Sequence, residues 1–164
     1  MKKYELTEET KVISGKTLFR IRALRSFGDI KAGDLGGFIE NERNLSHGGN
    51  AWVGDNAQVG GNAEVYGDAR VDGDAWVGGY ARVNGDGLIN SNNDYLCEQG
   101  LGSRNRSASF FKCKDGHIHV LCGCFSGNLD EFENKVKEEH GNSKYSKEYL
   151  GFIEVVKTHF EVRQ

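Results

Sequence analysis

Between Asn50 and Asn90 the chain repeats one six-residue unit, (Asn/Asp)-Ala-x-Val-x-Gly, without a gap. Val53, Val59, Val65, Val71, Val77 and Val83 fall on every sixth residue, Ile89 continues the row, and an alanine stands two residues before each valine. Neither helical spacing nor hairpin alternation produces that pattern. Two residues apart on an extended segment means the same side, and the intervening Gly and Asn/Asp supply tight corners. The period therefore predicts a three-sided parallel coil with valines stacked inside and alanines at the narrow corners, stable only when several turns stack.

If one turn takes about 18 residues, neighbouring turns lie about 5 Å apart and the outward positions can be placed. Trp52, Arg70 and Leu88 then share one face, Gln58 and Trp76 a second, and Glu64 and Arg82 a third. Stacking predicts a Glu64–Arg82 ion pair and a cation–π contact of Arg70 with Trp52, each worth under about 1 kcal/mol when exposed. Outward tryptophans are also interface residues. Trp52, Arg70, Trp76 and Arg82 are thus the candidate partner-binding residues.

Four segments follow: residues 1–39 as a capping hairpin and lead-in, 40–92 as the repeat region, 93–106 as a linker, and 107–164 as a ββαα domain. Across the first 39 residues eight Lys/Arg stand against five Asp/Glu, whereas residues 40–90 carry three against eight. An acidic stem of this kind can occupy basic grooves, although turn-forming aspartates account for most of its charge. No apolar run approaches the roughly 20 residues of a membrane span and no signal-peptide pattern opens the chain, which predicts a cytoplasmic protein.

In the first segment Gly15-Lys16 reads as a two-residue hairpin turn. Arg20 and Arg22 stand in a basic stripe, a candidate anion contact that also reads as a solvated face. His47 is the one histidine near the repeats and is weighed as a general base. It has no carboxylate partner identifiable from sequence, and no catalytic constellation emerges, so no enzymatic activity and no cofactor are expected.

Beyond Asn90, Asp115-Gly116 reads as a tight hairpin turn between two strands. That register opposes Cys113 to Ile118 and Phe111 to Val120. It gathers Phe111, Cys113, Ile118, Val120, Cys122 and Cys124 on one face and sends His117 and His119 to the other. Cys113 and Cys122 then lie roughly 13 Å apart along the ladder, too far for one metal ion or a disulfide, and no metal site is expected. Asn128 with Glu131 forms a capping box opening one helix, Gly141 ends it, and Ser143 or Ser146 opens a second. Gly102-Ser103-Arg104-Asn105 reads first as a structural turn and also offers donors to an anion, with Arg104 and Asn105 the candidates.

The A-x-V-x-G repeats resemble the left-handed β-helix of the hexapeptide-repeat superfamily. The fold class expected is accordingly mainly β: a short left-handed parallel β-helix capped by an N-terminal β-hairpin, then a small α+β domain. In that superfamily acyltransferases use a histidine base, which His47 would supply, and the enzymes are often trimers. The stretch FGDIKAGDLGGFIENERNLSHGGNAWV, the repeats, and the block GSRNRSASFF…KDGHIHVLCGCFSGNLDEF resemble a family of small phage and prophage proteins over nearly the whole chain. That resemblance implies viral carriage in a bacterial host. Together with the lack of a catalytic constellation and the acidic stem bearing Trp52 and Trp76, it leads to the expectation of a non-enzymatic anti-defence inhibitor that blocks a host macromolecule, a defence protein or protein–nucleic-acid complex such as a CRISPR effector or another immune complex. The alternatives are a sponge for a nucleotide immune signal, an acyltransferase acting through His47, and a scaffold stacking end to end. A homo-oligomer, dimer or trimer, fits any of these.

Overall fold

The computed structural model describes residues 1–163. The chain divides into two compact units, Met1–Asn92 and a second that begins at Asn93.

In the first unit β1 (Tyr4–Ile13) and β2 (Lys16–Ala23) form an antiparallel hairpin. Its turn is Ser14-Gly15, one residue earlier than expected: Ile13 pairs with Lys16, and both turn residues have positive φ, as a type I′ turn requires. β3 (Leu35–Ile39) adds antiparallel to β2 and continues in parallel into β5 (Gln58–Val59) and then β8 (Trp76–Val77). β4 (Trp52–Val53), β7 (Arg70–Val71) and β10 (Leu88–Ile89) form a parallel sheet. β6 (Glu64–Val65) and β9 (Arg82–Val83) form another.

Each repeat contributes a two-residue strand that pairs with the unit 18 residues on, as the Asn50 amide does with the Asp68 side chain. All six valines and Ile89 are buried, as are the six alanines of the repeats. Burying one such side chain is worth about 1.5–3 kcal/mol for the larger aliphatics.

The second unit is a four-stranded antiparallel sheet, β11 (Tyr95–Leu101), β12 (Arg106–Lys112), β13 (Ile118–Cys122) and β14 (Phe125–Asn128), followed by α1 (Leu129–His140) and α2 (Lys144–His159). Asn128 and Glu131 exchange capping-box hydrogen bonds, Gly141 ends α1 at positive φ, and Ser143 caps α2. Ala108, Phe110, Val120 and Cys122 on one sheet face pack against Phe132, Val136, Tyr149, Ile153 and Val156 of the helices.

The sheet organisation corrects the fold class. In place of a short left-handed parallel β-helix closed by a separate hairpin and followed by a ββαα domain, the described residues hold fourteen strands in four sheets, one of them mixed and one antiparallel, with two helices after the last strand. The N-terminal hairpin is continuous with a mixed sheet through β3, so it extends a sheet edge. The segment 93–106 is no linker, because Tyr95–Leu101 pairs along β12.

The β12–β13 register is also corrected. Lys112 pairs with Ile118, Phe111 with His119 and Phe110 with Val120, a slip of one residue. Gly116, at positive φ, donates to Cys113 O, and Cys113 N–H donates to His117 O, both at 2.9 Å. The loop is thus longer by one residue than a two-residue turn, the three-residue type with an αL glycine. Since strand side chains alternate, one residue of slip moves a strand's side chains to the opposite face.

Lys3 is fully buried, donates from Nζ to Ala51 O at 2.6 Å and lies 5.0 Å from the Phe27 ring centre. Burial, with Arg25 adding repulsion, lowers its pKa from 10.5 to about 8. Between those values the unfolded chain holds a proton that the folded chain has released, so stability rises with pH. We expect the wild-type unfolding free energy to gain about 1–2 kcal/mol between about pH 7.5 and about pH 9.5 relative to Lys3→Met. Urea titrations at both pH values, followed by tryptophan fluorescence, measure it; parallel trends in the two proteins would refute it.

Candidate ligand pocket

A cavity of about 560 Å³ opens in the second unit, within the usual range for small-ligand sites. Four parts of the chain build it, one of them α2, which contributes Tyr149. Ser103, Arg104 and Arg106 come from the β11–β12 turn and the start of β12; Cys122, Cys124 and Phe125 come from the β13–β14 hairpin; Phe132, Lys135 and Val136 come from α1. The α1 contribution follows from helical spacing, which puts Phe132, Lys135, Val136 and Glu139 on adjoining turns.

Glycines shape two edges. A Cβ on Gly123 would strike the Arg106 guanidinium, and one on Gly102 would strike the Tyr149 hydroxyl. Arg106 therefore lies across the hairpin backbone and Tyr149 reaches under the β11–β12 turn, where its hydroxyl donates to Leu101 O at 3.4 Å. Burial first, and Cys122 beside it, push the Tyr149 pKa up to about 12, with Arg106 opposing. The phenol is thus a neutral donor throughout the physiological range. Its ring stacks on His140 at 5.6 Å and meets Phe132 edge-on at 5.8 Å, while Phe125 lies 5.1 Å from Phe132. The lining thus combines an aromatic wall with three cations, Arg104, Arg106 and Lys135. Glu139 pairs with Lys135 at 3.1 Å and raises its pKa.

Of the residues expected to bind anions, Arg104 alone lines this cavity. Asn105 is exposed at φ 48 and forms the turn, its amide donating to Gly102 O. Arg20 and Arg22 belong to the first unit and pair across the hairpin, Arg20 with Glu9 at 3.5 Å and Arg22 with Glu5. Arg106, two residues past Arg104 in the same motif, went unmarked, as did Lys135 and the Phe125–Phe132–Tyr149 wall.

The tryptophan face is corrected. Trp52 is 1% exposed, enclosed by Phe27 at 5.4 Å and Tyr4 at 6.4 Å, so only the half-buried Trp76 remains of the pair. Arg70 pairs with Asp29 at 2.7 Å and Asp72 at 3.2 Å. Arg82 lies opposite Glu64 on the β6–β9 ladder.

His47 stacks on Tyr4 at 4.3 Å, and its Nδ1 accepts from the Lys3 amide at 3.1 Å. That bond uses the Nδ1 lone pair, which leaves the neutral ring's proton on Nε2, 3.7 Å from Glu42. A general base needs a free lone pair, and the neutral ring in this position has none.

No family model matches the chain, and no curated protein matches it. Among the described residues, no helix is long and apolar enough to cross a membrane.

Proposed function

We propose that this is a ligand-binding protein whose second unit captures a small anionic molecule of the nucleotide class. The convergence of Arg104, Arg106 and Lys135 on one cavity beside an aromatic wall carries the reading. Guanidinium groups bind phosphate oxygens through paired N–H donors, and aromatic side chains accept a base through stacking worth about 1–3 kcal/mol. In the phage setting that the resemblance implies, such a protein sequesters a nucleotide immune signal. We place this sponge reading ahead of blockade of a host macromolecule: blockade is supported by the acidic stem, the two tryptophans and the phage resemblance, and of these Trp52 is buried.

Calorimetry against inorganic phosphate, ADP-ribose and cyclic dinucleotides tests the proposal. Binding of a nucleotide is expected, weakened about tenfold or more by Arg104→Ala and by Arg106→Ala, the loss of one charge-assisted contact each. Lys135→Ala, on an exposed helix face, serves as a variant that leaves the fold intact. No heat with any nucleotide, or wild-type affinity in all three variants, would overturn it.

A further inference from the structure

We propose that Cys113, His117 and His119, at the β12–β13 turn, bind a single transition-metal ion of the zinc class. One ligand atom from each, the Cys113 sulfur and a ring nitrogen of each histidine, lies within 4.8 Å of the other two. Thiolate with imidazole is a donor set for zinc and its neighbours, not for magnesium or calcium. Three protein ligands leave the fourth tetrahedral position to water. Metal–ligand bonds of about 2.0–2.3 Å put donors roughly 3.5 Å apart, so closure needs a contraction of about 1 Å. The exposed His117 ring has room to supply it.

The turn backbone assembles the set. With the Cys113 amide bonded to His117 O and Gly116 bonded back to Cys113 O, Cys113 and His117 face each other across the loop neck, and His119 follows on the same strand face as His117. The surroundings fit metal-binding histidines. His117 Nδ1 lies 2.5 Å from Asp115 Oδ1, and His119 Nε2 lies 2.9 Å from Ser126 Oγ. Each ring therefore has one nitrogen held by an outside oxygen, the kind of partner that orients histidine ligands and fixes their tautomer. Charge balances as well: one thiolate and the adjacent Asp115 carboxylate match a divalent cation, and both imidazoles stay neutral.

Cobalt(II) titration of the reduced full-length chain, with zinc competition, tests the site. We expect one cobalt per chain with a near-ultraviolet thiolate-to-cobalt charge-transfer band, displaced by zinc. Cys113→Ser should abolish the band, while Cys124→Ser, which alters an exposed cysteine outside the set, should keep it. His117→Ala lies at an exposed position and guards against misfolding as the cause of a loss; it should weaken binding, as should Asp115→Asn by about tenfold. A wild-type complex without the charge-transfer band, a band that survives Cys113→Ser, or affinity unchanged by His117→Ala would overturn the proposal.

Discussion

Trp52→Ala is expected to destabilise the first unit by about 3–5 kcal/mol, the usual cost of emptying a large aromatic site. Trp52 is among the largest fully buried side chains. Alternation along β4 turns it away from Val53, but the hairpin and the Phe27 segment cover that side. Its ring touches Phe27 and Tyr4 and lies where a side chain on Gly36 would be, so the void has tightly packed walls that collapse poorly. Phe27 is also the ring beneath the Lys3 ammonium, which would lose part of its enclosure. Trp76→Ala, at a half-buried site, should cost about 1 kcal/mol. Urea titrations followed by far-ultraviolet circular dichroism compare the two; a Trp52→Ala cost no larger than that of Trp76→Ala would contradict the burial of Trp52.

The repeat made one level of structure legible. Which residues lie inside, Val59 and Ala57 for example, and which residue opposes which, Gln58 against Trp76, follow from a six-residue period alone. What covers the outward positions does not, because that depends on where a distant segment is laid down. Trp52 reads as exposed by period and is buried by Tyr4 and Phe27, residues 48 and 25 positions earlier. The sheet organisation was hidden for the same reason: β3 carries no repeat signature, yet it joins the antiparallel hairpin to parallel strands. Tyr95–Leu101 looks polar enough for a loop and becomes a strand by pairing with β12.

One turn decided how much of the second unit could be read. Asp-Gly between two apolar runs suggests a two-residue hairpin, and the choice between two and three loop residues turns on backbone geometry at Gly116. The shorter loop puts Cys113 on the same face as Cys122 and opposite the histidines; the longer one reverses both. The cavity is half visible: Arg104 stands out by its motif, while Lys135 is separated from it by three strands and draws attention only once α1 is packed on the sheet.

Gly37→Ala should destabilise the first unit by about 3–5 kcal/mol, although alanine suits a strand and the position needs no unusual backbone angle. A Cβ there would strike Ala57 O and come within 2.9 Å of both Gly54 O and Val53 Cγ1. Two of these three are backbone atoms already committed: Ala57 O accepts from Phe38 N at 2.9 Å, and Gly54 O accepts from Ala57 N at 3.0 Å. Relief requires moving β3 off the repeats, breaking bonds worth about 1 kcal/mol each on top of an overpacking cost of about 1–3 kcal/mol. Gly79→Ala is the matched control. Its φ is 63, so alanine is strained there, but nothing lies within 4 Å of the added carbon, and a cost of about 1 kcal/mol is expected. Both tryptophans of the chain lie in the first unit, so selectively excited tryptophan fluorescence in a urea titration reports on that unit alone. A Gly37→Ala midpoint at or above that of Gly79→Ala would mean that β3 does not sit against Ala57 as described, and the join between hairpin and repeats would have to be redrawn.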